Sequence, residues 1–286
     1  MILAPLRGVT VRCFRRTFAQ EIAAAGFVEA VTPFVAANAG ADPLKDRELK
    51  PDPGEPALPF QVTPQFIGKD PAELKRALER IKDAGFAFAD LNCGCPFPMV
   101  RNKGRGSGLL RTPDVLAKML EAGCGTMGAG RFSVKTRLGV DSPGELLALA
   151  PLLNSFPLRR VAVHARTARQ MYEGDCDWEA FAAFKAASSN PVVRNGGDGF
   201  PPSGGAPCDV MCGRPFVRHL GMRDDSDELL DRYVCASLAE LKSGRAVLGR
   251  MKELLAYWSG IPRWRNVWRA AKISRTLDEF RLVALP

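Results

Sequence analysis

The stretch FQVTPQFIGKDPAELKRALERIKDAGFAFADL, residues 60–91, decides the fold. Phe60–Phe66 and Phe86–Leu91 are short apolar runs with β-branched or aromatic side chains, the composition of buried strands. Between them Pro71–Ala84, PAELKRALERIKDA, is an amphipathic helical pattern, and Asp70 stands where a carboxylate caps the first free N–H groups. Strand, helix and strand in that order bring the two strands together in parallel, because a parallel pair needs a crossover of this length.

The same unit recurs on both sides. Expected strands are Ile2–Ala4, Phe27–Thr32, Phe60–Phe66, Phe86–Leu91, Phe132–Leu138, Arg160–Ala165, Pro191–Asn195 and Asp209–Cys212, eight in all. Further helices are expected over Pro113–Ala122, after Thr112, and from Asp177 through Ala187. Eight strands with intervening helices predict an α/β fold, a (β/α)8 TIM barrel. A doubly wound open sheet is the alternative. Only Gly196–Cys208, rich in Gly and Pro, joins the last two strands, too short for an ordinary crossover helix, so that unit reads as degenerate. Beyond Gly221 the strand signal ends, and Asp227–Lys242, Ala246–Ser259 and Asn266–Thr276 read as helices. The chain therefore divides into a barrel, residues 1–221, and a C-terminal all-helical domain, residues 222–286.

The 286 residues are 46% hydrophobic without a low-complexity tract, which supports a large packed core and argues against disorder. Apolar runs are short and interrupted by charge, and the first residues lack the succession of a signal peptide, so a cytoplasmic protein without membrane spans is expected. Cys residues at 13, 93, 95, 124, 176, 208, 212 and 235 read as reduced thiols in a chain this long. The pairs Cys93 with Cys95 and Cys208 with Cys212 lack CxxC spacing, and there are 2 His, so no metal site is expected.

The net charge is +9, and its placement is uneven. From Lys242 to Arg275 the basic residues are Lys242, Arg245, Arg250, Lys252, Arg263, Arg265, Arg269, Lys272 and Arg275, against the single acid Glu253. One-sided charge interleaved with Tyr257, Trp258, Trp264 and Trp268 points to a polyanion partner. A merely soluble basic helix is the plainer reading.

Reactive groups of such a barrel gather where strands end. The fourth strand ends in Asp90-Leu91-Asn92-Cys93-Gly94-Cys95-Pro96, followed by the loop Phe97–Leu110 with Arg101, Lys103 and Arg105. Its run Gly104-Arg105-Gly106-Ser107-Gly108 is not a dinucleotide fingerprint and reads as a mobile lid. Lys135, in the fifth strand, needs an anionic partner wherever it points, because barrel strands are covered on both faces. His164 ends the sixth strand. Asn195-Gly196-Gly197 and Gly213-Arg214 end the last two, where barrels bind phosphate through exposed N–H groups. Cys95, between Gly and Pro beside a basic loop, sits where positive surroundings favour thiolate and allow acid–base exchange near neutral pH. Taken singly these are also a core histidine, an inert buried cysteine and common turns.

Together, LNCGCP (residues 91–96) with its basic loop and Leu109-Leu110, VKTRLG (134–139), VHART (163–167), NGGD (195–198) and CDVMCGR (208–214) resemble the tRNA-dihydrouridine synthases. The likeness runs in order from Leu3-Ala4-Pro5 to the tail. It implies FMN held by Pro5, Leu6, Arg7, Gln65 of QFIG, Lys135, His164, Asn195, Gly196, Gly197, Gly213 and Arg214. NADPH is then the reductant, hydride reaches C6 of uracil, and Cys95 is the acid that protonates C5. Asn92 and Tyr172 match family positions that contact RNA. HARTARQMYEGDCDW (164–178) and RMKELLAYW (250–258) resemble the bacterial branch acting on uridine 16, implying tRNA contacts by Arg250, Lys252, Tyr257 and Lys272.

Three departures stand out: Ala36 where that branch has Arg, the shortened link after Asn195, and Gly197 where an acid is usual. A monomer is expected. Two other readings stay open, a small-molecule flavin oxidoreductase of the dihydropyrimidine or dihydroorotate dehydrogenase type and a tRNA-binding protein with impaired catalysis.

Overall fold

In the computed structural model, which describes residues 1–50, 54–197, 199–200 and 209–284, ten strand segments form one sheet in which every pairing is parallel. They are β1 (Ile2–Leu3), β2 (Glu29–Val31), β3 (Val35–Ala36), β4 (Gln61–Thr63), β5 (Gln65–Ile67), β6 (Ala89–Cys93), β7 (Phe132–Arg137), β8 (Arg160–His164), β9 (Val192–Asn195) and β10 (Val210–Cys212). The order β3-β5-β6-β7-β8-β9-β10-β1-β2-β4 places β5 near one end and β4 at the other. Those two are consecutive in the chain, separated only by Pro64, so the sheet closes on itself.

Nine of the ten segments overlap the eight expected strands, the third of which is interrupted at Pro64, and β3 lies beyond the expected second strand. Pro64 has no N–H to give a neighbour. Its carbonyl accepts from Asp90 N, and Gln65 N turns instead to Thr32 Oγ1 at 3.1 Å. The apolar pattern shows Phe60–Phe66 as one strand and gives no sign of the short β3.

The pleat sorts the side chains. Leu91, Cys93, Val134, Val161, Val163 and Val192 point outward into an apolar layer shared with the helices α3 (Pro71–Asp83), α5 (Pro113–Met127) and α8 (Trp178–Ala187). The alternate positions, Asp90, Asn92, Lys135, Arg137, His164 and Asn195, face the barrel interior, where Ile2, Val31, Ala162, Val193 and Met211 form a small apolar plug. Asp70 caps α3 through Ala72 N and Glu73 N, and Asp177 caps α8 through Ala180 N, as their sequence positions suggest. Thr112 makes no such side-chain bond to α5.

Beyond the barrel lie α9 (Arg214–Leu220), α10 (Ser226–Leu241), α11 (Gly244–Trp258), α12 (Pro262–Ile273) and α13 (Leu277–Ala284). Neither the first nor the last of these is among the helices expected from the sequence. Their apolar faces join the N-terminal helix α1 (Arg12–Thr17) and the barrel flank in one continuous cluster, from Leu3 and Phe14 to Trp264 and Phe280.

Trp258 and Trp264 are 0% and 1% exposed and donate to the carbonyls of Val217 and Gly221. The aromatic interleaving of the basic tail is therefore, for these two residues, core packing and not a polyanion-facing surface. Lys252 is similarly engaged, its Nζ donating to the carbonyls of Lys272 (3.2 Å) and Ser274 (2.8 Å) at the end of α12. Lys252→Met should lower the unfolding free energy by about 1 kcal/mol in urea titrations, the net worth of bonds of this kind; an unchanged midpoint would deny the contact any weight.

Candidate active site

A cavity open to solvent lies at the C-terminal ends of the strands. It is lined by Pro5, Leu6, Arg7, Gln65, Asn92, Cys95, Lys135, His164, Tyr172, Asn195, Gly196, Gly197, Gly213 and Arg214. Every residue that the sequence assigned to the cofactor, to the acid and to the RNA base within the barrel is thus brought to one wall. Arg250, Lys252, Tyr257 and Lys272 lie outside it, on the helices of the tail. The cavity also takes in Phe34, Phe97 and Arg137, which sequence reasoning did not single out. Arg137, two positions beyond Lys135 on the same strand face, was recoverable from the pleat alone.

Cys95 sits at the top of β6, 7% exposed. Asn92 Oδ1 accepts from Gly94 N (3.1 Å) and Cys95 N (2.9 Å), which bends the chain into the turn that carries the thiol. Across the turn, Ser107 Oγ and N donate to the Cys95 carbonyl at 2.8 and 3.2 Å. Gly106, at φ +58, passes so close that a Cβ would lie 2.8 Å from that of Cys95. Residues 106–110 are buried, so this part of the loop, expected to be a mobile lid, is packed against the cysteine it follows.

The electrostatics also differ from the sequence reading. Burial pushes the Cys95 thiol above its ordinary value, and the Phe97 N–H, Arg137, Arg7 and Lys135 offset this only in part. At neutral pH the group is a thiol holding its proton, not the thiolate that a basic loop suggested.

Cations dominate the wall. Burial and the nearby Arg137 draw Lys135 down to about 8, while Asp90, buried on the strand face beside it, supports its charge. Asp90 acts on Lys135 through its charge and not through a direct ion pair. Arg137, drawn down to about 10 by burial, donates to the carbonyls of Gly94 (2.9 Å), Thr167 (2.8 Å) and Met171 (2.6 Å). It thereby ties the cysteine turn to the loop after β8. That loop carries Tyr172, whose ring centre is 5.2 Å from the Arg137 guanidinium carbon and 5.0 Å from that of Arg214, and whose ring meets His164 edge-on at 6.1 Å.

His164 is 6% exposed, is held neutral by burial and by the cations around it, and its Nδ1 has no hydrogen-bond partner. Asn195 Nδ2 donates to the Met211 carbonyl at 2.9 Å and fixes the end of β9. Gly196 and Gly197 have φ +115 and +87; a Cβ at Gly196 would lie 2.8 Å from Cys176 Sγ. At Gly213 a Cβ would lie 2.9 Å from that of Ala4. Asp198, residues 201–207 and Cys208, and with them most of the degenerate link, lie outside the described residues.

The profile of the dihydrouridine synthase (Dus) family matches residues 2–198. The chain belongs to the dihydrouridine synthase family. Individual relatives agree: a probable tRNA-dihydrouridine synthase of Rhodobacter capsulatus is 32% identical over 205 residues, covering 68% of this chain and 59% of that protein. tRNA-dihydrouridine synthase B of Pseudomonas aeruginosa is 35% identical over 197 residues, 68% of this chain and 57% of that protein. The matched part thus spans less than two thirds of the length of these relatives. Among solved structures, morphinone reductase superposes with a TM-score of 0.51 at 11% identity over 76% of this chain and 82% of that one, a likeness that bears on the barrel fold alone. Among the described residues no cluster of His, Cys, Asp or Glu could hold a metal, and no helix is long and apolar enough to cross a membrane.

Proposed function

We propose that this chain is a flavin-dependent tRNA-dihydrouridine synthase that reduces the C5–C6 bond of a D-loop uridine, uridine 16, with FMN as cofactor and NADPH as reductant. The observation that carries the reading is the meeting, in one cavity, of the buried Cys95, Lys135 and the glycine turns at Gly196-Gly197 and Gly213. Family membership and the named relatives support the same chemistry.

A phosphorylated, planar, hydrogen-bonding cofactor fits this wall. No acidic residue is among those described as lining it, and His164 Nδ1 is buried without a partner. FMN would be held by Pro5, Leu6, Arg7, Gln65, Lys135, His164, Asn195, Gly196, Gly197, Gly213 and Arg214; when bound, it supplies hydride to a substrate double bond.

The residues do the rest. Cys95 gives its Sγ proton to C5 as hydride arrives at C6, so the double bond becomes saturated, and the thiolate left behind regains a proton from solvent. Lys135 places a positive charge where negative charge accumulates. Tyr172, 41% exposed at the mouth, offers an aromatic surface for the displaced base. Asn92 acts through the cysteine turn.

In the tail, Arg265, Arg269 and Lys272 lie exposed on one side of α12, with Lys272 Nζ 5.6 Å from the Trp268 ring. This surface favours RNA over a free pyrimidine, together with Tyr257. Arg250 is held by Glu240 at 2.6 Å and donates to Ser237 Oγ at 3.3 Å, so tRNA contact by Arg250 and Lys252 requires that they keep or exchange these partners. We assign the reaction to residues 1–221 and the grip on tRNA to 222–286, in a cytoplasmic monomer.

The test is the visible spectrum of the purified protein, first alone, then with NADPH, then anaerobically with unmodified tRNA, followed by mapping of dihydrouridine. Bleaching by NADPH and recovery on tRNA, with dihydrouridine at position 16, is the expected result. A protein that cannot be loaded with FMN sinks the reading; dihydrouridine at another position corrects only the target.

A further inference from the structure

A chain of buried side chains runs from the barrel interior to the cysteine turn. Gln65 Nε2 donates to Asp90 Oδ2 at 2.8 Å, Asn92 Nδ2 donates to Gln65 Oε1 at 2.8 Å, and Asn92 Oδ1 accepts from Gly94 N and Cys95 N. Asp90 and Gln65 are 0% exposed and Asn92 is 7% exposed. The register explains the order, since Gln65 of β5 pairs with Asp90 of β6 and Asn92 lies one pleat above Asp90.

Each amide in this chain has a donor end and an acceptor end, and nothing intrinsic decides which way it faces. The two termini decide. Backbone N–H groups at the top can only donate, so Asn92 must turn its oxygen to them and its NH2 to Gln65. Gln65 must then turn its oxygen to Asn92 and its NH2 downward, which requires an acceptor beneath it. Asp90 is that acceptor. Were Gln65 to rotate by half a turn, two NH2 groups would oppose each other inside the barrel, and the Cys95 turn would lose its anchor.

We propose that Asp90 is a positioning residue that fixes the direction of the Gln65 and Asn92 amides and so holds the turn carrying Cys95 from beneath. Its importance for proton donation rests on the function proposed above; its effect on the turn does not. Three variants separate the contributions. Gln65→Met cuts the chain in the middle at nearly constant volume, Asp90→Leu removes the acceptor, and Asp90→Asn keeps an acceptor oxygen while removing the charge.

The experiment is alkylation of the full-length purified protein with iodoacetamide at fixed pH, with labelling at Cys95 located by peptide fragmentation. Cys124 and Cys212, both buried, report any general loss of structure. Gln65→Met and Asp90→Leu should label Cys95 about fivefold or more faster than the parent, the weight of about one net hydrogen bond lost from the turn, with Cys124 and Cys212 unchanged. Asp90→Asn should rescue, staying within about twofold of the parent. Parent-like labelling in Gln65→Met overturns the proposal, and so does an Asp90→Asn protein that labels as fast as Asp90→Leu. If Asp90→Leu unfolds and exposes Cys124 and Cys212, the comparison of Gln65→Met with Asp90→Asn still decides. A protein that never reduces tRNA, yet shows this pattern, loses the proposed function and keeps the positioning role.

Discussion

Cys95→Ala is expected to lower dihydrouridine formation by a factor of about 10² to 10⁴, the range that a positioned general acid contributes, while leaving the flavin spectrum of the purified protein unchanged. The separation follows from geometry. The thiol is on the turn above β6, whereas the groups assigned to the cofactor come from the ends of β1, β5, β7, β8, β9 and β10 and do not depend on the sulfur. Burial keeps the thiol above its ordinary value, so it holds a proton throughout the neutral range and has one to give.

Cys95→Ser sharpens the test. A hydroxyl of similar size occupies the same place but is a far weaker acid, so the serine protein should resemble alanine in rate and the parent in stability. Single-turnover measurement of flavin recovery with saturating tRNA reads the step directly. An alanine protein within about tenfold of the parent would remove Cys95 from the role of acid.

The barrel was legible because its strands are covered on both faces and therefore appear as short apolar runs even where only two to six residues pair. Asp70 and Asp177 announced their helices because their side chains cap them. Helix α1, preceded by Val11 with no side-chain cap, carried no such signal. At the site, the polar ends of β6 to β10 were legible as residues out of place in apolar strands. Their ionisation was not: counting Arg and Lys near Cys95 suggested thiolate, whereas desolvation, which depends on the packed neighbours, dominates.

The tail shows the same limit from the other side. Its run of basic residues was visible, yet Glu240 beside Arg250 and the helix end beneath Lys252 become visible only when α10, α11 and α12 pack together. Charge that pairs inside the protein and charge that faces a partner look alike in a sequence. Packing alone tells them apart.

The largest stability effect is expected at the opposite end of the barrel, in a cluster that no local pattern announced because its members lie up to 131 positions apart. Glu29 of β2, 4% exposed, accepts from Arg159 at 2.9 and 3.0 Å, from Arg160 at 2.8 Å through one oxygen and again through the other, and from Thr63 Oγ1. Arg159 also stacks 3.6 Å from the Phe88 ring centre. Burial alone would raise the Glu29 carboxyl, but the hydrogen bond and charge of Arg160, then Arg159 and Thr63, outweigh it and hold the group at about 2.

The folded value lies below the ordinary 4.5, so the contribution to stability is present above pH 4.5 and is lost as pH falls toward 2. A difference of this size is worth about 3 kcal/mol. Glu29→Gln keeps the shape but leaves two guanidiniums without a counter-charge, and breaking one side of a buried ion cluster costs about 3–5 kcal/mol. Urea unfolding at neutral pH should show that loss, and the gap between parent and variant should narrow steadily below pH 4.5, as the Glu29 carboxyl of the unfolded chain takes up a proton that the folded parent does not bind until about 2. A Glu29→Gln protein within about 1 kcal/mol of the parent at neutral pH, or a gap that does not change with acid, would mean that the barrel floor is held by packing and not by this carboxylate.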